Sequence, residues 1–120
     1  MSYNIRFAVK VQGTEDATLV FANPDYSNPT YNLGEMFRAC MDWNYEQGEF
    51  YKVSDIFPHI KRGIMELTRN KNDYVKYNSP NGRGDTKDAL DCLVSISAWI
   101  TGFQEDYGEI IPLNCVYMAW

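Results

Sequence analysis

Histidine is nearly absent from this chain, which has His59 alone among its 120 residues. A zinc site built on a pair of histidines is therefore excluded. None of the cysteines stands at a spacing from His59 that suggests a nucleophile and its base. Phosphate-binding P-loops, dinucleotide fingerprints and serine hydrolase elbows are missing as well. We therefore expect a protein that is not an enzyme and holds neither a metal nor a cofactor.

Long apolar runs and targeting signals are missing too. No apolar run approaches the roughly 20 residues that cross a bilayer, and the first residues lack the basic start and apolar block of a signal peptide. Cys40, Cys92 and Cys115 have no metal-ligand spacing, and each lies in an apolar pattern that suits a small buried side chain. We therefore predict a cytoplasmic protein that makes no membrane contact and keeps its thiols reduced.

Three stretches of the chain carry helical patterns. The longest begins at Asp85, a natural N-cap, and continues to residue 106, although a glycine at position 102 could end it early. Its apolar side chains recur at steps of four and three, the spacing of one helix face: Ala89, Leu93, Ile96, Ile100 and Phe103. A capping box at Asn32 opens a shorter helix that extends as far as Trp43. Ser54 or Asp55 caps the middle helix.

The remaining regular patterns are those of strands. Alternating apolar and polar residues predict a strand over residues 3–11, and a second follows over residues 17–22. Because the loop between them is short, they should form an antiparallel hairpin. A strand over residues 110–120 must pair with this hairpin, since an isolated strand is not stable. We predict an α+β fold in a single domain over residues 1–120, with a three-stranded, mainly antiparallel sheet packed against helices in the order β-β-α-α-α-β.

Charge is unevenly distributed along the chain, whose net charge is −5. Between His59 and Lys87 there are seven basic residues and three acidic ones, so this segment carries +4 and the remainder carries −9. Such separation suggests one face that attracts phosphates or acidic surfaces and another that attracts basic surfaces. Solvated helix faces give the same counts by chance, so charge alone does not choose a function.

Acidic and aromatic residues are mixed in the irregular stretch over residues 42–51. Rings with polar tips suit protein interfaces and base-stacking sites, but they also cover a core beneath long loops. At the end of the longest helix, carboxylates face the negative end of the helix dipole at a cost of roughly 0.3–1 kcal/mol each, so stability does not explain them. The candidate partner-binding residues are Asp42, Trp43, Tyr45, Glu46, Glu49 and Tyr51, with Glu105, Asp106 and Glu109 behind them.

Most of the chain resembles a family of small uncharacterised proteins carried by phages and integrative elements of gut bacteria. The residues that carry the resemblance run from Pro29 to Tyr51, from Tyr77 to Gly82 and from Val116 to Trp120. The family has no assigned activity, so the resemblance transfers no residue role. Its genomic setting implies an anti-defence factor, such as an anti-CRISPR protein, that acts in the cytoplasm of the host cell.

Three functions are consistent with these features. The first is a non-enzymatic inhibitor that binds a bacterial defence protein, for instance a CRISPR effector, by presenting acidic and aromatic groups to its nucleic-acid-binding groove. The second is a protein that sequesters a signalling nucleotide in a pocket lined by tyrosines and by Arg83, Lys87 or Arg62. The third is a nucleic-acid-binding accessory protein of a mobile element that uses the basic segment. Because the chain is acidic overall, we expect direct nucleic-acid binding least.

Overall fold

The predicted hairpin at the start of the chain is present. In the computed structural model, β1 (Arg6–Lys10) and β2 (Ala17–Phe21) are antiparallel, with Phe7 opposite Phe21. The predicted cap residue Asn32 and the basic residue Arg83 lie outside the described residues. The structure describes residues 5–10, 17–21, 33–46, 48–78 and 84–120.

The sheet is antiparallel and has four strands rather than three. The closing strand β4 (Val116–Ala119) pairs with β1, as predicted, and places Met118 opposite Phe7. The additional strand β3 (Phe50–Lys52) pairs with the other edge of β4, so the strand order is β2-β1-β4-β3. Two of these residues, Phe50 and Tyr51, belong to the stretch over residues 42–51 that was predicted to be irregular, because three residues are too few to show the alternation of a strand. The α+β class is confirmed.

Three helices pack with the sheet: α1 (Gly34–Met41), α2 (Val53–Arg69) and α3 (Thr86–Tyr107). Two short 3-10 helices follow α2, at Lys71–Asp73 and Val75–Tyr77. No helix in the described part of the chain is long and apolar enough to cross a membrane.

The helix ends confirm some predictions and correct others. Asp85 caps α3 as predicted, since its side chain accepts a hydrogen bond from the Asp88 N–H and the Asp88 side chain accepts one from the Asp85 N–H. The helix continues past Gly102 to Tyr107, so that glycine does not end it. By contrast, α1 ends at Met41 instead of Trp43, and α2 begins before Ser54 and Asp55 without a side-chain cap.

One hydrophobic cluster joins the sheet to the helices. Phe7 of β1 stacks on Trp99 of α3 with ring centroids 3.9 Å apart. At Gly63 of α2, a Cβ atom would lie 2.8 Å from the Leu93 Cδ1 of α3 and 3.0 Å from the Met41 Cγ of α1. Glycine is therefore needed where the three helices approach one another.

Two of the three cysteines are buried small side chains, as predicted. Burial raises the pKa of the Cys40 thiol, and likewise that of Cys92, to about 12, because a thiolate loses its hydration inside the core. Both thiols are therefore protonated at neutral pH, which makes them poor nucleophiles. Cys115 is half-buried, and all three are free of disulfide bonds.

Candidate protein-binding site

The candidate site begins where α1 ends, in residues 42–46 and 48–49 between α1 and β3, here called the α1–β3 turn. Asp42 adopts a left-handed conformation with φ of 52°, which aspartate tolerates better than most residues. Its N–H donates to the Ala39 carbonyl at 3.3 Å, and the Trp43 N–H donates to the Arg38 carbonyl at 3.2 Å. This pair of hydrogen bonds is the Schellman motif, which reverses the chain sharply after a helix.

Two side chains of α2 bind the last carbonyls of α1. Arg62 Nη1 donates to the Cys40 carbonyl, and His59 Nδ1 lies 2.9 Å from the Met41 carbonyl. Because a carbonyl only accepts, the Nδ1 atom of His59 carries the hydrogen. A cation near the carboxyl end of a helix also interacts favourably with the helix dipole. The single histidine therefore anchors α1 to α2, a role that its position in the sequence does not reveal.

Aromatic contacts fix the next part of the turn. The Trp43 ring lies edge-on to the His59 ring at 4.5 Å and to the Tyr51 ring at 5.4 Å. The Tyr51 hydroxyl in turn accepts a hydrogen bond of 2.8 Å from the Glu46 N–H. Trp43 and Tyr51 are half-buried, so each has one part in these contacts and another part open to solvent. The backbone that carries Glu46 is thereby tied to the sheet.

Tyr45 was predicted to bind a partner, and this prediction is wrong because the residue is buried. Its side chain is only 2% exposed and stacks on Trp120 with ring centroids 5.0 Å apart. Arg38 also contacts Tyr45. Its guanidinium carbon lies 4.4 Å from the Tyr45 ring centroid, and its Nε donates to the Tyr45 carbonyl at 3.1 Å. Tyr45 thus belongs to the core, where it supports the turn from beneath.

The carboxylates of the α1–β3 turn point outward. Asp42, Glu46 and Glu49 are exposed, and none forms an ion pair with another residue in the described ranges. The turn closes through the Glu49 N–H, which donates to the Glu46 carbonyl at 3.2 Å, and through the Gly48 N–H, which donates to the Trp120 carbonyl at 3.1 Å. Three carboxylates are therefore presented on a backbone that is hydrogen-bonded at several points.

The second acidic group lies at the end of α3. Glu105 and Asp106 occupy its last turn, which contains no basic residue, and Glu109 follows the helix; all three are exposed. The chain leads from Glu109 into the start of β4, whereas Glu49 precedes Phe50, which pairs with Ala119 at the end of β4. The two predicted acidic groups are therefore attached to opposite ends of β4, and we treat them as separate surfaces.

Two of the three basic residues named for a nucleotide pocket have other partners. Arg62 binds the α1 carbonyls and lies 3.5 Å from a carboxylate oxygen of Glu66. Lys87 pairs with Asp91 at 3.7 Å. Among the described residues, no group of three or more His, Cys, Asp or Glu side chains is placed to hold a metal ion.

A groove of about 510 Å³ lies beside the turn and includes residues that sequence analysis missed. Asp42 and Trp43 line it together with Glu35 and Arg38 of α1 and with Tyr77. The steps from Glu35 to Arg38 and on to Asp42 are those of one helix face, so this part of the groove had a signal in the sequence. No sequence signal pointed to Tyr77, because it lies 34 positions after Trp43 and only the fold brings it to the groove.

Comparison with known proteins identifies no family for this fold. No protein-family model matches the chain, and no curated protein or solved structure does so either. The function must therefore be inferred from the chemistry of the residues themselves.

Proposed function

We propose that this protein is a non-enzymatic inhibitor that binds a bacterial defence protein, such as a CRISPR effector. It would present the carboxylates of the α1–β3 turn to a basic, nucleic-acid-binding groove of that protein. The resemblance to small phage and mobile-element proteins suggests a defence protein as the partner. The exposed carboxylates of the turn suggest which surface binds it. A groove that holds nucleic acid is lined by lysine and arginine, so its potential complements that of the turn.

The observation that carries this proposal is the combination of exposed carboxylates with a fixed backbone. Glu46 and Glu49 are joined by a backbone hydrogen bond, and Tyr51 holds the Glu46 N–H. A surface that is ordered before binding loses less conformational entropy when the partner arrives. The half-buried rings of Trp43 and Tyr51 add the kind of side chain that is enriched at protein interfaces.

Charge reversal at the turn tests the proposal. Glu46→Lys with Glu49→Lys should weaken binding to the defence protein by at least about tenfold, which corresponds to ~1.4 kcal/mol. Binding would be measured by calorimetry against a panel of purified CRISPR effectors, together with inhibition of DNA cleavage. Tyr51 is left unchanged, because its hydroxyl holds the turn and its loss would confuse folding with binding.

The matched control reverses the second acidic group. Glu105→Lys with Asp106→Lys makes the same change in net charge at the other end of β4, and it should keep the wild-type affinity. If no effector on the panel binds, the proposal fails. Equal losses in the two double variants would show that overall charge, and not this surface, drives the association.

A further inference from the structure

The groove beside the α1–β3 turn has a lining that suits a particular side chain. Glu35, in the first turn of α1, and Asp42, the residue directly after α1, both line it. Trp43 and Tyr77 line the same groove with aromatic rings, and both are half-buried. Two acidic and two aromatic residues thus line an open groove with a volume of about 510 Å³.

Neither carboxylate is already neutralised within the described part of the chain. Glu35 and Asp42 are exposed, and the ion pairs that the structure shows there are Arg62 with Glu66 and Lys87 with Asp91. Arg38 also lines the groove, but its Nε donates to the Tyr45 carbonyl and its guanidinium lies over the Tyr45 ring. The lining residues therefore carry two negative charges and one positive charge; outside the lining, the Lys76 ammonium lies 5.3 Å from the centroid of the Tyr77 ring.

We propose that this groove receives an arginine side chain of the bound protein. A guanidinium group is planar, so it can stack on an aromatic ring while its fork of N–H donors binds a carboxylate. The lysine ammonium is a point charge with a strong hydration shell, so it stacks less well on a ring and cannot bind a carboxylate through a planar fork of donors. This inference rests on the proposed function and specifies it, because basic nucleic-acid-binding grooves supply arginines.

A nucleotide is the competing occupant. Its base could stack on the same rings, and a basic residue would have to bind its phosphates. In this groove, however, Glu35 and Asp42 would repel the phosphates, and Arg38 is the one cation among the lining residues. The charge balance therefore favours a cationic ligand.

Peptide titration of the isolated protein tests the arginine site. A hexa-arginine peptide should shift the indole N–H signal of Trp43 and the ring signals of Tyr77 in NMR spectra. It should do so at a concentration several-fold lower than hexalysine requires. In the Glu35→Gln, Asp42→Asn variant the affinity for hexa-arginine should fall about tenfold, a loss well beyond experimental error. Asparagine at position 42 tolerates the left-handed backbone, so the variant should keep the wild-type melting temperature.

The control is Glu105→Gln with Asp106→Asn, which removes the same charge at residues that do not line the groove, and it should bind hexa-arginine as the wild type does. Equal losses in the two variants would overturn the proposal. The same conclusion would follow if hexalysine bound equally well, if hexa-arginine left Trp43 unshifted, or if ADP shifted these signals and hexa-arginine did not.

This experiment separates the arginine site from the proposed function. It requires no defence protein, so binding of hexa-arginine without binding of any CRISPR effector would contradict the proposed function alone. Conversely, an effector that binds the Glu35→Gln, Asp42→Asn variant with wild-type affinity would contradict the arginine site alone.

Discussion

The α1–β3 turn and the end of α3 have similar compositions but are held by different contacts. Both combine carboxylates with aromatic rings. In the turn, hydrogen bonds from the backbone of Glu46 and Gly48 reach Tyr51 and Trp120, and the ring of Tyr45 lies in the core. At the end of α3, Tyr107 is 51% exposed, and Ile110 just beyond it is 81% exposed.

This difference shows that acidic and aromatic composition does not by itself identify a binding surface. The turn is fixed by its neighbours, which makes its carboxylates suitable for a specific partner. The end of α3 is a helix terminus with like charges beside the negative end of its dipole. Four experiments test the distinction between the two regions.

Removing the aromatic ring beneath the turn should lower the free energy of unfolding more than any of the other changes. Tyr45→Ala should lower the free energy of unfolding by about 3–5 kcal/mol, because it opens a cavity beside Trp120. Tyr107→Ala at the end of α3 should cost less than about 1 kcal/mol, since that ring is half exposed and contacts Phe103. Urea unfolding followed by circular dichroism measures both. Similar losses would show that the two regions are equally well packed.

The second experiment makes the same substitution at Gly63 of α2, which contacts the last residues of α1, and at Gly102 near the end of α3. Gly63→Val should lower the free energy of unfolding by about 1–3 kcal/mol, because its side chain would press on Met41 and Leu93 beneath the turn. Gly102→Val should be nearly neutral: nothing lies within 4 Å of a Cβ atom there, and valine forms helices slightly better than glycine. Thermal and urea unfolding of the two variants provide the test. A Gly63→Val protein as stable as the wild type would contradict the close approach of the helices.

The third experiment removes the contact that ties α1 to α2. His59→Ala deletes the hydrogen bond to the Met41 carbonyl and one of the ring contacts of Trp43. A hydrogen bond of this kind contributes about 0.5–1.5 kcal/mol to stability, and the Trp43 signals should shift in NMR spectra. Ser54→Ala, at an exposed position of the same helix, controls for the helix propensity of alanine. Unchanged Trp43 signals in His59→Ala would contradict the contact.

Regular patterns made much of the fold predictable. The long stripe of α3, its cap at Asp85 and the antiparallel pairing of the hairpin with β4 all follow from local rules, and the structure has each of them. The strand β3 was missed because three residues do not reveal a period. The extension of α1 to Trp43 was wrong because the left-handed conformation of Asp42 ends the helix, and aspartate is not the residue that usually signals this end.

The candidate site was only partly predictable, because tertiary contacts decide which side chains are exposed. Tyr45 and Tyr51 lie six positions apart in the same mixed stretch, yet one is buried on Trp120 and the other is half-buried in β3. The carboxylates Asp42, Glu46 and Glu49 were predicted as exposed charges, and the structure places them there. No sequence pattern connects them to Tyr77 or to His59, whose positions depend on how α2 and the residues after it fold back on α1.

The smallest expected effect concerns the carboxylates themselves. Glu105→Gln with Asp106→Asn should raise the free energy of unfolding, because removing negative charge beside the carboxyl end of α3 relieves roughly 0.3–1 kcal/mol for each residue. Glu46→Gln with Glu49→Gln makes the same change in charge outside any helix, so it should leave stability unchanged. Urea unfolding at low salt and again at 1 M NaCl tests the cause: a Debye length of about 3 Å at the higher salt should remove most of the gain. A gain that is equal in the two double variants would mean that overall repulsion, and not the helix dipole, distinguishes the end of α3 from the α1–β3 turn.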